Sequence, residues 1–192
     1  MSFNATTPYG LLADLDAAGR QVNRDLRRDI GVGWRGVLLR VGSFRFLVDM
    51  DSLSEVTDPM PLANVPLAGA GVLGIGNLRG LVLPVFDMSQ LLLGEPLPED
   101  KANRRVVVAP QGSGMAGLLV SQVEGMRRCI PSQRRREADA PETAMPFITG
   151  GFDLGHRLHP VLDLDLFLSD SNRFSGDLIA GFSDNEQPAA VA

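Results

Sequence analysis

Six positions of this chain are matched at one constant separation, five of them by the same residue, and no other feature limits its fold as strongly. Gly74, Asn77, Leu78, Pro84, Val85 and Asp87 are answered by Gly150, Asp153, Leu154, Pro160, Val161 and Asp163. Glycine, proline and aspartate set turns, remove ladder donors and cap helices, so repeating them in register repeats a backbone path. The chain therefore reads as an internal duplication. The upstream halves correspond more loosely: Val37-Leu38-Leu39-Arg40-Val41 followed by Phe44-Arg45-Phe46-Leu47-Val48 resembles Val106-Val107-Val108 followed by Leu118-Leu119-Val120. Gly42-Ser43 in the first copy and Gln111-Gly112-Ser113-Gly114 in the second are the turns of these opening hairpins. Short strands punctuated in this way indicate small barrels or a sandwich.

The run from Gly74 to Asp87 reads as a hairpin that holds one arginine at its turn. Gly76 and Gly80 supply backbone freedom for the reversal, Val82 to Phe86 suit a pleated surface, and Pro84, which has no N–H, suggests an edge strand. Arg79 stands alone among apolar residues. A guanidinium carries five donors in a rigid fork and stays charged, so it calls for a carboxylate or carbonyl partner. This is a binding feature before it is a catalytic one.

Around this duplicated body the chain divides into three parts. Residues 1–33 form a helical extension: Leu11, Leu12, Leu15, Ala18, Val22 and Leu26 recur at helical spacing from Pro8 to about Ile30, and Gly31 and Gly33 end the pattern. Residues 34–168 are mostly β, with a short helix at the end of each copy, Met88 to Leu92 and Leu164 to Leu168. Residues 169–192 are a polar, Ala-rich tail with one small apolar cluster, Leu178, Ile179 and Phe182. The net charge of −5 argues against nucleic acid as a partner, the single Cys129 excludes a disulfide framework, and no apolar run approaches the roughly 18 residues that cross a bilayer. No secretory signal pattern opens the chain, and the expected compartment is the cytoplasm.

Enzymatic readings find little support. His156, His159 and Asp163 carry ligand types suited to zinc, but the histidines alternate across a strand, and the duplication sets them against Gly80 and Leu83, so neither recurs. Asp87 and Asp163 fit helix caps better than paired acid and base. Ser113 lies in a glycine-flanked turn without the strand-to-helix context of a nucleophile elbow. No cofactor is expected. The basic run Arg127, Arg128, Arg134, Arg135 and Arg136 lacks interleaved aromatics for stacking bases; it reads as a solvated loop, or as a means of steering an acidic partner. Cys129 reads as a small buried hydrophobe.

Val65-Pro66, Gly74, Asn77-Leu78-Arg79-Gly80 and Leu83-Pro84-Val85-Phe86-Asp87 resemble the CheW-type coupling proteins of bacterial chemosensory arrays, over Trp34 through Leu168. Two further segments, Thr7 to Asp16 and Pro146 to Phe152, are similar to the branch of that family that serves type IV pili and twitching motility. The resemblance implies a mainly β fold of two five-stranded SH3-like barrels around an apolar interface. It also implies a non-catalytic adaptor that links the cytoplasmic tip of a methyl-accepting chemoreceptor to the regulatory domain of a CheA-type histidine kinase, at membrane-associated arrays without membrane insertion.

By the same resemblance Arg79 pairs with Glu55 as a half-buried clamp, and Leu53, Glu55, Val56, Ile75, Asn77, Leu78 and Arg79 line a receptor groove between the barrels. Leu62, Val65, Pro66 and Leu67 match kinase-facing positions near the barrel-to-barrel contact. The plainer reading makes Leu53, Val56, Ile75 and Leu78 core and Arg79 a structural clamp. Where relatives show valine-aspartate, this chain has Val120-Ser121, which removes a charge from that site, and Arg134 to Glu142 reads as an extended, mobile loop. The alternatives are a coupling protein of a flagellar array, or a small barrel enzyme or ligand-binding module built on His156, His159 and Asp163.

Overall fold

The computed structural model describes residues 33–66, 68–98 and 101–170. The helical extension expected from Pro8 to Ile30 and the tail beyond Asp170 lie outside the described residues. Strands β1 (Trp34–Val41) and β2 (Phe44–Asp49) form the opening hairpin, followed by β3 (Glu55–Thr57), β4 (Leu62–Ala63), β5 (Val72–Leu78), β6 (Leu81–Asp87) and helix α1 (Met88–Leu93). The second copy runs β7 (Arg105–Gln111), β8 (Gly114–Val120), β9 (Gln122–Cys129), β10 (Arg134–Arg135), β11 (Ile148–Leu154), β12 (Arg157–Leu162) and α2 (Leu164–Ser169). The expected turns stand at Gly42-Ser43, between paired Val41 and Phe44, and at Gly112-Ser113, between paired Gln111 and Gly114.

Neither copy closes on itself. One six-stranded sheet has the order β10-β11-β12-β2-β1-β9, the other β3-β7-β8-β6-β5-β4. The opening hairpin of each copy is thus built into the sheet formed by the other copy's remaining strands, and the two lobes are intertwined. The first lobe below is the one containing β1 and β2, the second the one containing β7 and β8. The sixth strand of each sheet is a two-residue piece, β10 or β4, too short to carry a sequence signal.

The exchanged hairpins explain the continuous apolar runs of the sequence, because they bury both faces. Val37, Leu39 and Val41 of β1, Phe46 and Val48 of β2, Val107 and Ala109 of β7, and Ala116, Leu118 and Val120 of β8 meet in one core shared by the lobes. The alternate residues turn outward into a private core for each lobe: Leu38 and Leu47 join Cys129 and Phe152, and Val106, Val108 and Leu119 join Leu83, Val85 and Leu97. Fully buried phenylalanines and leucines such as Phe46, Phe86, Phe167 and Leu39 each stabilise the fold by about 1.5–3 kcal/mol. The helices latch the lobes crosswise. A Cβ on Gly42, at the first lobe's turn, would stand 2.8 Å from Leu93 of α1, and Gln111, at the second lobe's turn, donates to the Leu168 carbonyl of α2 at 3.2 Å.

The repeated residues do repeated jobs. Gly74 and Gly150 have φ of +143° and +114°, and a Cβ there would lie 2.5 Å from the Ala63 carbonyl oxygen and 2.6 Å from that of Arg135 respectively. Each glycine therefore lets the two-residue edge strand close onto its sheet. Asp87 and Asp163 cap the helices as expected: Asp87 Oδ1 accepts from the Ser89 and Gln90 amides, and Asp163 Oδ1 from those of Asp165 and Leu166.

Pro84 corrects an expectation, since β6 lies inside its sheet, between β8 and β5. A two-residue turn makes Leu78 and Leu81 a hydrogen-bonded pair, and alternation makes Ile75 and Pro84 a non-bonded one, so the proline nitrogen faces β8, where pairing starts only at Val85. Pro160 repeats this, opposite Gly151 and one residue before β12 joins β2 at Val161. Gly76 is likewise not at the turn; it is buried in β5, where a Cβ would meet the Met60 sulfur at 2.6 Å. The segment read as a solvated, mobile loop contains β10, paired to Phe152 and Gly151, and buries Ala138.

Candidate docking surface at the arginine hairpin

The β5–β6 turn consists of Arg79 and Gly80, both left-handed, with φ of +52° and +89°. This is the two-residue turn whose twist suits a hairpin, and it asks both central residues for positive φ. Glycine meets that demand without strain, whereas arginine does not. The second copy has the same turn at Gly155 and His156, with φ of +61° and +66°. Asn77 Oδ1 accepts from the Gly80 amide at 2.8 Å, which fixes the turn and gives Asn77 a local role.

Arg79 Nη1 donates to Glu55 Oε2 at 3.1 Å, so the expected pair forms. It is not half-buried: the arginine side chain is 79% exposed and the glutamate 29%. Exposure of that degree leaves the pair worth a fraction of a kcal/mol, about 0–1 before screening. Glu55 lies on β3, at one edge of the second sheet, while β5 is next to the opposite edge. The ion pair thus bridges across the curl of the sheet, which wraps Leu73, Leu78 and Met60 around the same private core as Val106 and Val108.

The other expected receptor-facing residues divide by burial. Val56 is exposed at 42%. Leu53 and Leu78 are half-buried, Leu53 against the shared core and Leu78 against the second lobe's own core, so both serve packing as well as surface. Ile75 is half-buried on β5 between Pro84 and Ala63, and Asn77 is exposed. All belong to the second lobe, and Leu53 alone among them reaches the core between lobes. The sequence reading missed Leu81 and Val82, exposed at 44% and 48% beside the arginine. Their signal was present: two aliphatic residues directly after a turn glycine, on a hairpin whose buried residues begin at Leu83.

The kinase-facing set needs a correction of place. Leu62 is exposed on β4, the outer edge of the second sheet; Val65 is half-buried, Pro66 is exposed, and Leu67 lies outside the described residues. The contact between lobes is made instead by β1, β2, β7 and β8 and the two helices. Ser121 accepts from the Gly42 amide through Oγ at 3.0 Å, a neutral bond that ties down the first turn.

The residues of the enzymatic alternative do not converge. His156 is exposed at its turn and so not on a strand, His159 is buried in β12, and Asp163 caps α2. No group of three or more His, Cys, Asp or Glu among the described residues could hold a metal ion. His159 occupies the position of Leu83 in the sister lobe, and its pKa is lowered by burial and by Arg157, Arg45 and Arg127, with Glu124 opposing them. Arg45 Nε donates to both Glu124 oxygens at 2.9 Å, and Arg40 donates to Gln122 Oε1 at 2.7 Å. Burial pushes the Cys129 thiol up to about 11, as befits a core residue. No helix among the described residues is long and apolar enough to cross a membrane.

Comparison with known proteins agrees with this architecture. The CheW-like domain model matches residues 35–172. Protein PilI of Pseudomonas aeruginosa is 31% identical over 159 residues, covering 81% of this chain and 87% of that protein. Chemotaxis protein CheW of Rhizobium meliloti is 38% identical over 87 residues, 45% of this chain and 56% of that one. The crystal structure of the scaffolding protein TtCheW from Thermoanaerobacter tengcongensis superposes with a TM-score of 0.63 at 19% identity, covering 73% of this chain and 95% of that one, and shares its fold. The two intertwined lobes and the match over the whole described body place the chain in the CheW-like family, the scaffold and coupling proteins of chemosensory systems.

Proposed function

We propose that this protein couples the cytoplasmic tip of a methyl-accepting chemoreceptor to the regulatory domain of a CheA-type histidine kinase, in a system controlling type IV pili. The observation that carries the reading is Arg79: an exposed arginine kept in a left-handed conformation that glycine would adopt freely, at an apolar hairpin tip, where it adds little to stability. Its side chain faces outward, where a partner outside the chain can meet it. Leu81, Val82, Val56 and the half-buried Leu53, Ile75 and Leu78 supply the apolar surface around it, suited to a helical hairpin laid against the lobe with the guanidinium fixing its register.

The kinase domain docks on the outer edge of the second lobe, at Leu62, Val65 and Pro66, with Leu67 following in sequence, so the two partners occupy neighbouring faces of one lobe. Coupling then needs no chemistry and no cofactor: a receptor movement that changes contact energy on one face changes the population of kinase states on the other. The protein works in the cytoplasm, at membrane-associated arrays. The likeness to PilI supports the pilus system over a swimming system.

Titration of the purified protein with a receptor signalling fragment and with a kinase regulatory domain tests this reading. Both bind, and Arg79→Glu weakens the receptor at least about tenfold while leaving the kinase domain within about twofold. Equal receptor binding by wild type and Arg79→Glu contradicts the site.

A further inference from the structure

The hairpin of the first lobe has a different character from the arginine hairpin it duplicates. Where the second lobe closes its sheet with Leu62-Ala63, the first uses Arg134-Arg135, followed by Arg136; Arg157 opens β12, and Arg127 and Arg128 lie on β9. In a chain of net charge −5, this end is electropositive. Beneath this end, the pKa of His159 is lowered first by burial and then by Arg157, Arg45 and Arg127, with Glu124 opposing. Arg135, Arg136, Glu137, Asp153, His156 and Leu158 line a cleft of about 500 Å3.

The cleft is fixed before anything enters it. Gly150 seats the Arg135 and Arg136 carbonyls directly on the sheet, Arg135 Nη1 donates to the Ser132 and Arg134 carbonyls at 3.0 and 3.1 Å, and the Arg134 guanidinium sits 5.9 Å from the centre of the Phe152 ring. Arg135 faces Asp153 at 3.7 Å, an open ion pair rather than a closed hydrogen bond. Glu137 and Asp153 offset the two cleft arginines, and Arg157, between the lining residues His156 and Leu158, adds a further positive charge beside them. Leu158, 38% exposed, gives the cleft an apolar wall.

We propose that this end of the first lobe is a docking surface for an acidic protein segment, whose carboxylates fork onto Arg135 and Arg136 while a neighbouring apolar side chain rests on Leu158. Planar guanidinium groups suit carboxylates bidentately. Nucleic acid would want exposed aromatic platforms, and the aromatic at this end, Phe152, is buried beneath Arg134 and stacked on Trp34 at 5.0 Å. The site is independent of the arginine hairpin and stands whether or not Arg79 meets a receptor.

The test is fluorescence anisotropy of the full-length protein with a short fluorescein-labelled peptide of glutamates around one central leucine, and with its glutamine counterpart. The glutamate peptide binds, more weakly as salt rises, and the glutamine peptide does not. Arg136→Glu, on an exposed side chain, lowers affinity about tenfold or more, whereas Arg105→Glu on the second lobe and Arg79→Glu change it less than about twofold. Circular dichroism confirms that the variants are folded. The proposal is overturned if the glutamate peptide fails to bind, if Arg136→Glu and Arg105→Glu have equal effects, or if phosphatidylglycerol vesicles or oligothymidylate occupy the site in preference to the peptide.

Discussion

Replacing Arg79 by glycine separates what the arginine does for the fold from what it does for a partner. Three terms act on stability. Left-handed backbone costs a non-glycine residue about 1–2 kcal/mol, which glycine recovers. Glycine loses more freedom on folding, about 0.4–1 kcal/mol. The bond to Glu55, with the arginine 79% exposed, contributes at most about 0.5 kcal/mol after screening. The sum runs from about 0.5 kcal/mol of destabilisation to about 1.6 kcal/mol of stabilisation, and so leans towards stabilisation. Receptor binding, by contrast, loses the guanidinium outright, and a central arginine at an interface is commonly worth more than about 1.4 kcal/mol, a tenfold change in affinity. Urea unfolding and titration with a receptor signalling fragment measure the two effects on one preparation. A loss of more than about 2 kcal/mol in stability would make Arg79 a clamp for the hairpin, and unchanged receptor affinity at unchanged stability would leave its strained conformation without a purpose.

The duplication supplies matched pairs for further predictions. Asp87→Ala strands the Ser89 and Gln90 amides and also the buried Leu97 amide, which donates to Oδ2 at 2.9 Å; Asp163→Ala strands only two amides. The first should cost about 2–4 kcal/mol and the second about 1 kcal/mol in urea unfolding. Gly74→Ala drives a Cβ into the Ala63 carbonyl as well as straining φ and should cost about 2 kcal/mol or more, whereas Gly80→Ala, which meets nothing within 4 Å, should cost about 1 kcal/mol, both read as shifts in urea midpoint. His159 has a folded-state pKa below the usual imidazole value, so below about pH 6.5 the unfolded chain takes up the proton first and stability falls as pH drops through that window. His159→Leu, which installs the sister lobe's residue, should flatten that acid limb of the melting-temperature profile.

Much of this fold was legible because its punctuation is chemical. The turns at Gly42-Ser43 and Gly112-Ser113, the caps at Asp87 and Asp163, and the Arg79 hairpin each rest on a residue whose backbone or side chain permits little else. The exchange of hairpins between lobes was not legible: in a duplicated chain, β1 and β2 fit the second copy's strands as well as their own, and local pattern is identical in both pairings. Pro84 misled because a missing donor is tolerated wherever a ladder begins late, as well as at an edge. The pairing of Arg79 with Glu55 followed from the family resemblance, but its exposure did not, since burial depends on how far the sheet curls. Two-residue β4 and β10 carry no period at all, and the cleft beside Arg135 was visible only as a run of like charges.

The account rests on one body holding two partners together. Sedimentation velocity of this protein mixed with a receptor signalling fragment and a kinase regulatory domain tests that most directly. A single complex containing all three components, reduced to a protein–kinase pair by Arg79→Glu, is the expected result; mutual exclusion of the two partners, each displacing the other, would contradict it.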